Sequence, residues 1–332
     1  MKIGLIDVDN RENLAKCFPN ICLMKISAWH KSRGDSVEWY QPMISGHMDR
    51  VYMSKVFTFS PNYEYFIDAD EIIRGGSGYA IKLIDGREVY EKDRDLPKEI
   101  EHIMPDYSLY FNDEVDFKDG KLTRLGEKHR NTAYGFTSRG CPRGCEFCHV
   151  KAKEGLCSIK VADLEEFWNG QKFIELCDPN TLACTEWRDI LQQLIDSKAR
   201  VNFNQGLDIR MMTEEKATMI NDIKISKIHF AWDRWEDKDL ITPKFEFFRK
   251  ISNIHPHNLQ VYVLCNYNTT HAQDIARVEW LRSHGYAPYV MIYNKSNLPQ
   301  GHITRKLQRY VNNRYVFWKV DKFDEYKKGE WR

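Results

Sequence analysis

The stretch TAYGFTSRGCPRGCEFC (residues 132–148) joins a short β-prone run, 132–137, to three cysteines placed close together. Glycine and proline follow the run, which predicts a strand that ends in a loop. Cys141, Cys145 and Cys148 lie within eight residues and are separated by glycine and proline rather than by helix formers. Such a loop can turn its side chains inward. The stretch therefore predicts a strand that leads into a cysteine-rich loop.

Downstream of this loop, β-prone runs alternate with helical patterns. The further runs lie at 172–177, 200–203, 227–231, 260–264 and 288–293. The helical patterns lie at 161–168, 186–197, 214–221, 243–251, 271–284 and 302–311. Because parallel neighbours need long crossover connections, six strand-then-helix units predict a parallel sheet with helices packed outside it. We expect a partial (β/α)6 TIM barrel over residues 131–295, followed by a C-terminal helical extension over 296–332.

Upstream of the loop, the pattern predicts a separate α/β domain over residues 1–115. Strand-like runs lie at 2–7, 36–40, 51–57 and 71–73, with a helical pattern at 21–29. This order is typical of an open, doubly wound Rossmann-like unit. Gly75, Gly76 and Gly78 follow the fourth run and fit either a ligand loop or a plain turn. Charged and turn-forming residues predict a linker over 116–130.

Composition limits the class of protein and its environment. The chain has 332 residues, of which 42% are apolar and 29% charged, the balance of a globular protein. A formal net charge of +1 does not indicate a nucleic-acid partner, although it does not exclude one. Nine cysteines without a signal peptide or a membrane span predict reduced thiols in a cytoplasmic protein.

The three cysteines point to metal chemistry. Thiolates are the ligands of iron–sulfur clusters, and three of them can hold three irons of a [4Fe-4S] cube while the fourth iron keeps an open position. Two alternatives stay open on spacing alone. One is a zinc site that takes His149 as a fourth ligand, and the other is three unligated thiols.

The motif CxxxCxxC, with Phe147 before the last cysteine and a strand in front, resembles the radical S-adenosylmethionine superfamily. The run TSRGCP (residues 137–142) is similar to a subgroup in which a cobalamin-binding-like domain precedes the radical domain. That subgroup includes methylthiotransferases and cobalamin-dependent methylases. The resemblance covers most of the chain.

The resemblance implies roles for individual residues. Cys141, Cys145 and Cys148 would hold the cluster, and Phe147 would pack near the adenine of S-adenosylmethionine. Asp178 would receive the ammonium group of the cofactor, or else form an Asx turn before Pro179. Asp208 and Arg210 would bind a ribose hydroxyl and a carboxylate, or else form a structural ion pair with each other.

The resemblance also implies the reaction. The cluster would take an electron from a reductant such as flavodoxin or ferredoxin and cleave S-adenosylmethionine to a 5'-deoxyadenosyl radical, which abstracts hydrogen from an unidentified substrate. We expect no cobalamin, because the Asp-x-His-x-x-G sequence is absent, although cobalamin can bind without that histidine. We expect no second cluster, because the other cysteines are scattered, at Cys17, Cys22, Cys157, Cys177, Cys184 and Cys265.

Two other functions are compatible with the same residues. One is an iron–sulfur or zinc binding module without S-adenosylmethionine chemistry, which would recruit a fourth protein ligand. The other is an RNA-modifying, methylthiotransferase-like enzyme, which would use a basic and aromatic C-terminal segment. The basic residues of that segment are Arg305, Lys306, Arg309 and Arg314.

Overall fold

The computed structural model describes residues 1–10, 18–84, 87–91 and 95–327, so that Cys17 lies outside the described residues. The chain divides into two compact units, Met1–Glu175 and Leu176–Arg332. Within the described ranges, no helix combines the length and the apolar character needed to cross a lipid bilayer.

A four-stranded parallel sheet occupies the N-terminal part of the first unit. Its strands are β1 (Lys2–Asp7), β2 (Ser36–Trp39), β3 (Met48–Ser54) and β4 (Ala69–Gly75), in the order β2-β1-β3-β4. Helix α1 (Ile21–Ser32) connects β1 to β2, and the side chain of Asn20 caps its first turn. The four predicted strands and the predicted helix are confirmed.

Short elements follow this sheet. They are α2 (Ser77–Ala80), the hairpin of β5 (Ile81–Ile84) and β6 (Arg87–Tyr90), α3 (Lys98–Glu101), α4 (Asp113–Asp116), the hairpin of β7 (Phe117–Lys118) and β8 (Lys121–Leu122), and α5 (Arg124–Arg130). The buried carboxylate of Asp116 accepts hydrogen bonds from His129 (2.8 Å) and Arg130 (2.7 Å). The predicted linker over 116–130 thus falls on residues that form regular elements, and the predicted domain boundaries stay a prediction.

Both faces of the four-stranded sheet are covered. On one face, Ile3 and Leu5 pack with Leu23 of α1 and with Ile100 of α3. On the other face, a second apolar cluster is covered by partly buried residues of the connection 55–68. That cluster consists of Ile6, Val8, Tyr40, Met48, Val51 and Met53, with Tyr63 and Ile67 packed against it. The described connections 40–47 and 55–68 form turns and contain no helix.

The second sheet has six parallel strands whose spatial order follows the order of the chain. They are β9 (Thr132–Gly135), β12 (Phe173–Leu176), β13 (Arg200–Phe203), β14 (Ile225–Ala231), β15 (Leu259–Cys265) and β16 (Ala287–Ile292). Between β9 and β12 lie β10 (Ser138–Arg139), α6 (Val150–Lys153) and β11 (Ile159–Lys160). The six predicted strands are confirmed, and the fold is mixed α/β.

A helix follows each strand from β12 onward. These helices are α7 (Trp187–Ser197), α8 (Glu214–Asp222), α9 (Lys238–Ile251), α10 (His271–Ser283) and α11 (Ile303–Asn312), and α12 (Arg314–Lys319) comes last. Aromatic packing joins β14 to α9, the helix that follows it. Phe230 of β14 is fully buried and makes edge-on ring contacts with Phe245 and Phe248 of α9. Five of the six helices predicted in this half are confirmed.

The helix predicted over 161–168 is wrong. Only a 3-10 turn, Leu164–Glu166, forms there, with Asp163 and Glu166 in a capping box. The ring of Phe167 packs so closely on Gly135 of β9 that a Cβ at Gly135 would lie 2.2 Å from it. Gly170 then takes a positive φ of 83°. Packing against the strand and this turn end the helix after one turn.

Candidate functional site

The cysteine loop begins at a fixed turn. Gly140 has a φ of +84°, and a Cβ at this position would lie 2.1 Å from the carbonyl oxygen of Cys157. The amide of Cys141 donates to the carbonyl of Gly155 (3.3 Å), and Arg139 of β10 pairs with Ile159 of β11. Hydrogen bonds therefore join the residues that enter the loop to the residues that leave it. Only glycine fits at position 140.

Inside the loop, a second turn brings the backbone of Cys148 close to that of Cys145. Gly144 has a φ of +56°, and the amide of Cys148 donates to the carbonyl of Cys145 (3.1 Å). Cys141, Cys145 and Cys148 are all half-buried, and so is Phe147. In the parts of the chain that the structure describes, no three histidine, cysteine or acidic side chains converge as they do around a bound metal ion.

The other described cysteines lie in different surroundings. Cys157 is exposed and Cys22 is half-buried, whereas Cys177, Cys184 and Cys265 are buried. Burial raises the pKa of the Cys184 thiol to about 11 and also raises that of Cys265. A raised pKa disfavours the thiolate, which is the form that binds metals.

Arg139, next to the loop, takes part in a network of charges. Its Nη1 donates to Oε1 of Glu154 (3.1 Å), and its Nη2 lies 3.8 Å from Oε1 of Glu101. Its guanidinium carbon lies 3.9 Å from the ring centroid of Phe136. Burial opposes the charge, but Glu154 and Glu101 outweigh it, so the pKa of Arg139 is raised.

Asp178 follows β12 and is buried, with 3% of the residue exposed. Its Oδ2 accepts a hydrogen bond from the hydroxyl of Thr181 (3.2 Å), at the start of the 3-10 turn Thr181–Ala183. This side chain to side chain contact is not an Asx turn, in which a backbone amide is the donor, so the Asx turn before Pro179 stays a prediction. A role toward an ammonium group stays a prediction.

Asp208 and Arg210 follow β13 and bind each other. Oδ1 of Asp208 accepts from the backbone amide of Arg210 (3.1 Å) and from its Nε (2.7 Å). Nη1 of Arg210 also donates to Asp237 (3.0 Å). The ion pair that the sequence offers as an alternative is therefore present, while their roles toward a cofactor stay predictions.

A buried ion pair that the sequence analysis missed joins α10 to the ends of β14 and β15. Arg277 of α10 donates to Asp274 (2.6 Å) and to the carbonyls of Trp232 (2.6 Å) and Leu264 (2.8 Å). Both charged residues lie in a helix whose buried side also carries Val278. The signal in the sequence is an acid and a base spaced i, i+3 on the apolar side of a helix, where charge is costly unless paired.

The basic C-terminal residues make contacts within the protein. Nη2 of Arg305 donates to the carbonyl of Leu298 (2.8 Å), and Nζ of Lys306 lies 5.1 Å from the ring centroid of Phe323. Nη2 of Arg314 donates to Oε1 of Gln260 (3.3 Å). The local fold therefore uses at least three of the four basic side chains.

Comparison of the sequence with models of known families gave no match, and neither did comparison with curated proteins.

Proposed function

We propose that this protein is a radical S-adenosylmethionine enzyme that abstracts hydrogen from an unidentified substrate. The observation that carries the proposal is the position of the CxxxCxxC motif. Cys141, Cys145 and Cys148 lie in the connection between β9 and β12, just after the short strand β10. Strand β9 is the first strand, in chain order, of a six-stranded parallel sheet. In sheets of this kind, reactive groups gather where the carboxyl ends of the strands meet.

The order of the strands supports a partial (β/α)6 barrel. Crossovers between parallel strands are almost always right-handed. When the strands also follow one another in chain order, right-handed crossovers leave all the helices on one face, as in a TIM barrel. The order from β9 to β16 has this property. We propose that the front sheet, whose parallel strands have the order β2-β1-β3-β4, belongs to a Rossmann-like domain.

The donor set fits an iron–sulfur cluster that is open at one iron. Three cysteines on one loop would supply three thiolates, and the glycine turns at Gly140 and Gly144 give this loop sharp bends. Because no three such side chains converge in the described residues, binding of the cluster would have to bring the three thiolates together. When bound, such a cluster supplies the electron that cleaves S-adenosylmethionine, after it is reduced by a protein such as flavodoxin or ferredoxin. We propose no cobalamin for this chain.

The protein's own residues would bind and orient the cofactor. Phe147, half-buried in the loop, would contact the adenine ring. The buried carboxylate of Asp178 would accept a hydrogen bond from an ammonium group, with Thr181 holding it in place. Asp208 and Arg210 orient each other and would offer one acceptor and one donor to a ribose and a carboxylate.

No observation favours a zinc-binding module or an RNA-modifying enzyme over the proposed enzyme. A zinc module would need a fourth ligand, for which His149 follows the last cysteine directly. An RNA-modifying enzyme would use the basic C-terminal segment, but contacts within the protein already engage Arg305, Lys306 and Arg314. The metal content of the protein separates the first alternative from the proposal.

We expect anaerobically reconstituted protein to be brown and to contain about four irons per chain. Cys148→Ala should lose the cluster or hold it loosely, because only two thiolates remain. Cys157→Ala should keep it, because that exposed residue lies outside the motif. Iron and zinc analysis with absorption spectroscopy checks this, and colourless wild-type protein with one zinc per chain would refute the proposal.

A further inference from the structure

We propose that Glu154 is a positioning residue that holds the entrance of the cysteine loop and thereby sets how the loop presents the cluster to S-adenosylmethionine. This inference rests on the proposed function. Glu154 lies thirteen residues beyond Cys141 in the chain, directly after α6. It belongs to no sequence motif that the function uses.

The carboxylate of Glu154 binds both residues that precede Cys141. Oε2 accepts a hydrogen bond from the amide of Gly140 (3.0 Å), and Oε1 accepts one from Nη1 of Arg139 (3.1 Å). Only 8% of the Glu154 side chain is exposed, so water competes little for these bonds. Nζ of Lys153, 3.7 Å from Oε1, adds a second positive charge. Bonds between a buried carboxylate and such donors are among the strong ones in proteins.

The geometry at Gly140 explains why this bond matters. The residue is confined by its positive φ and by its closeness to the carbonyl of Cys157. The next amide, of Cys141, donates to Gly155, the residue after Glu154. Two successive amides at the loop entrance thus bind the segment 154–155. Movement of Glu154 would therefore move the backbone that carries the first cysteine.

A series of ion pairs also connects this carboxylate to helix α1 of the front sheet. Arg139 lies between Glu154 and Glu101, with Nη2 3.8 Å from Oε1 of Glu101. The same Glu101 oxygen lies 3.3 Å from Nζ of Lys25 in α1. Through these partners, the entrance of the cysteine loop is tied to the helix of the front sheet. Glu154 is the member that touches the loop backbone itself.

The test uses Glu154→Gln in the full-length chain. The amide keeps the shape of the side chain but loses its charge, and its NH2 group must face either Arg139 or the Gly140 amide. We expect hydrogen exchange of the Gly140 amide in metal-free protein to become faster by about tenfold or more. In reconstituted protein, adding S-adenosylmethionine should shift the electron paramagnetic resonance signal of the cluster. We expect this shift to differ between Glu154→Gln and wild type.

The matched control is Glu165→Gln, which removes the same charge from an exposed residue outside this network and should leave both readouts as in wild type. Unchanged exchange at Gly140 in Glu154→Gln would overturn the inference. Faster exchange with a wild-type resonance shift would also overturn it, because the carboxylate would then support the loop without positioning the cluster. If wild-type protein forms no cluster, the proposed function fails, and the exchange rate alone decides whether Glu154 holds the loop.

Discussion

The two parallel sheets of this protein are covered in different ways. In the six-stranded sheet, a helix follows each of the strands from β12 to β16, so that adjacent chain segments cover the strands. In the four-stranded sheet, α1 is the one helix among the described connections between strands. The rest of its cover includes the turns of 55–68, Tyr79 of α2 and residues 96–110. The four-stranded sheet thus depends more than the six-stranded sheet on contacts between residues distant in sequence.

Single hydrogen bonds from distant residues fix the cover of the four-stranded sheet. The hydroxyl of Tyr110 donates to Oδ2 of Asp7 at the end of β1 (2.6 Å) and accepts from the amide of Asn20 (3.1 Å). Both partners are buried. Burial raises the pKa of Asp7, although the Tyr110 hydrogen bond opposes that shift. In the six-stranded sheet, by contrast, the comparable buried hydrogen bonds are made by Arg277, which lies in the covering helix α10 itself.

The largest loss of stability is expected for Arg277→Ala. The change leaves Asp274 as a buried charge without its cation, and it removes donors from the carbonyls of Trp232 and Leu264. Removing one partner of a buried ion pair costs about 3–5 kcal/mol. We expect the free energy of unfolding to fall by that amount in urea titrations.

The control for this variant is Arg188→Ala, in which the remaining partner, Glu215, is exposed. The side chains of Arg188 and Glu215 are 64% and 49% exposed, so the loss should be much smaller than in Arg277→Ala. Equal losses in the two arginine variants would show that the buried tie in α10 does not stabilise the sheet.

A smaller loss is expected for Tyr110→Phe, which tests the dependence of the four-stranded sheet on distant residues. The ring stays, but Asp7 loses a buried donor, so the free energy of unfolding should fall by about 1–3 kcal/mol. Hydrogen exchange should show β1 opening more readily than β14. Tyr315→Phe, at an exposed tyrosine, is the control. Uniform protection of β1 and β14 in Tyr110→Phe would contradict the comparison.

Much of the fold could be predicted because the strands are local signals. Each predicted strand is a β-prone run between turn residues, and the structure places a strand at each of them. The helix expected over 161–168 failed because its ending depends on Phe167 packing against Gly135, a contact between residues far apart in sequence. Periodicity within one segment carries no information about such a neighbour.

The candidate site divides in the same way. The three cysteines stand out by their spacing, and the glycines beside them predict the turns that the structure contains. The contact of Glu154 with Gly140 could not be predicted, because α6 and its following turn bring the carboxylate back to the loop only in three dimensions. The buried pair of Arg277 and Asp274 likewise depends on the packing of α10.

The central claim is that the three-cysteine loop holds the cluster that cleaves S-adenosylmethionine, and Cys145→Ala tests it most directly. The change removes the middle thiolate and leaves the strands intact, so the variant should stay folded by circular dichroism. After anaerobic reconstitution and reduction, 5'-deoxyadenosine formed from S-adenosylmethionine is measured by chromatography. We predict that wild type forms this product and that Cys145→Ala forms none. Equal rates in the two proteins, or no product from wild type, would contradict the account.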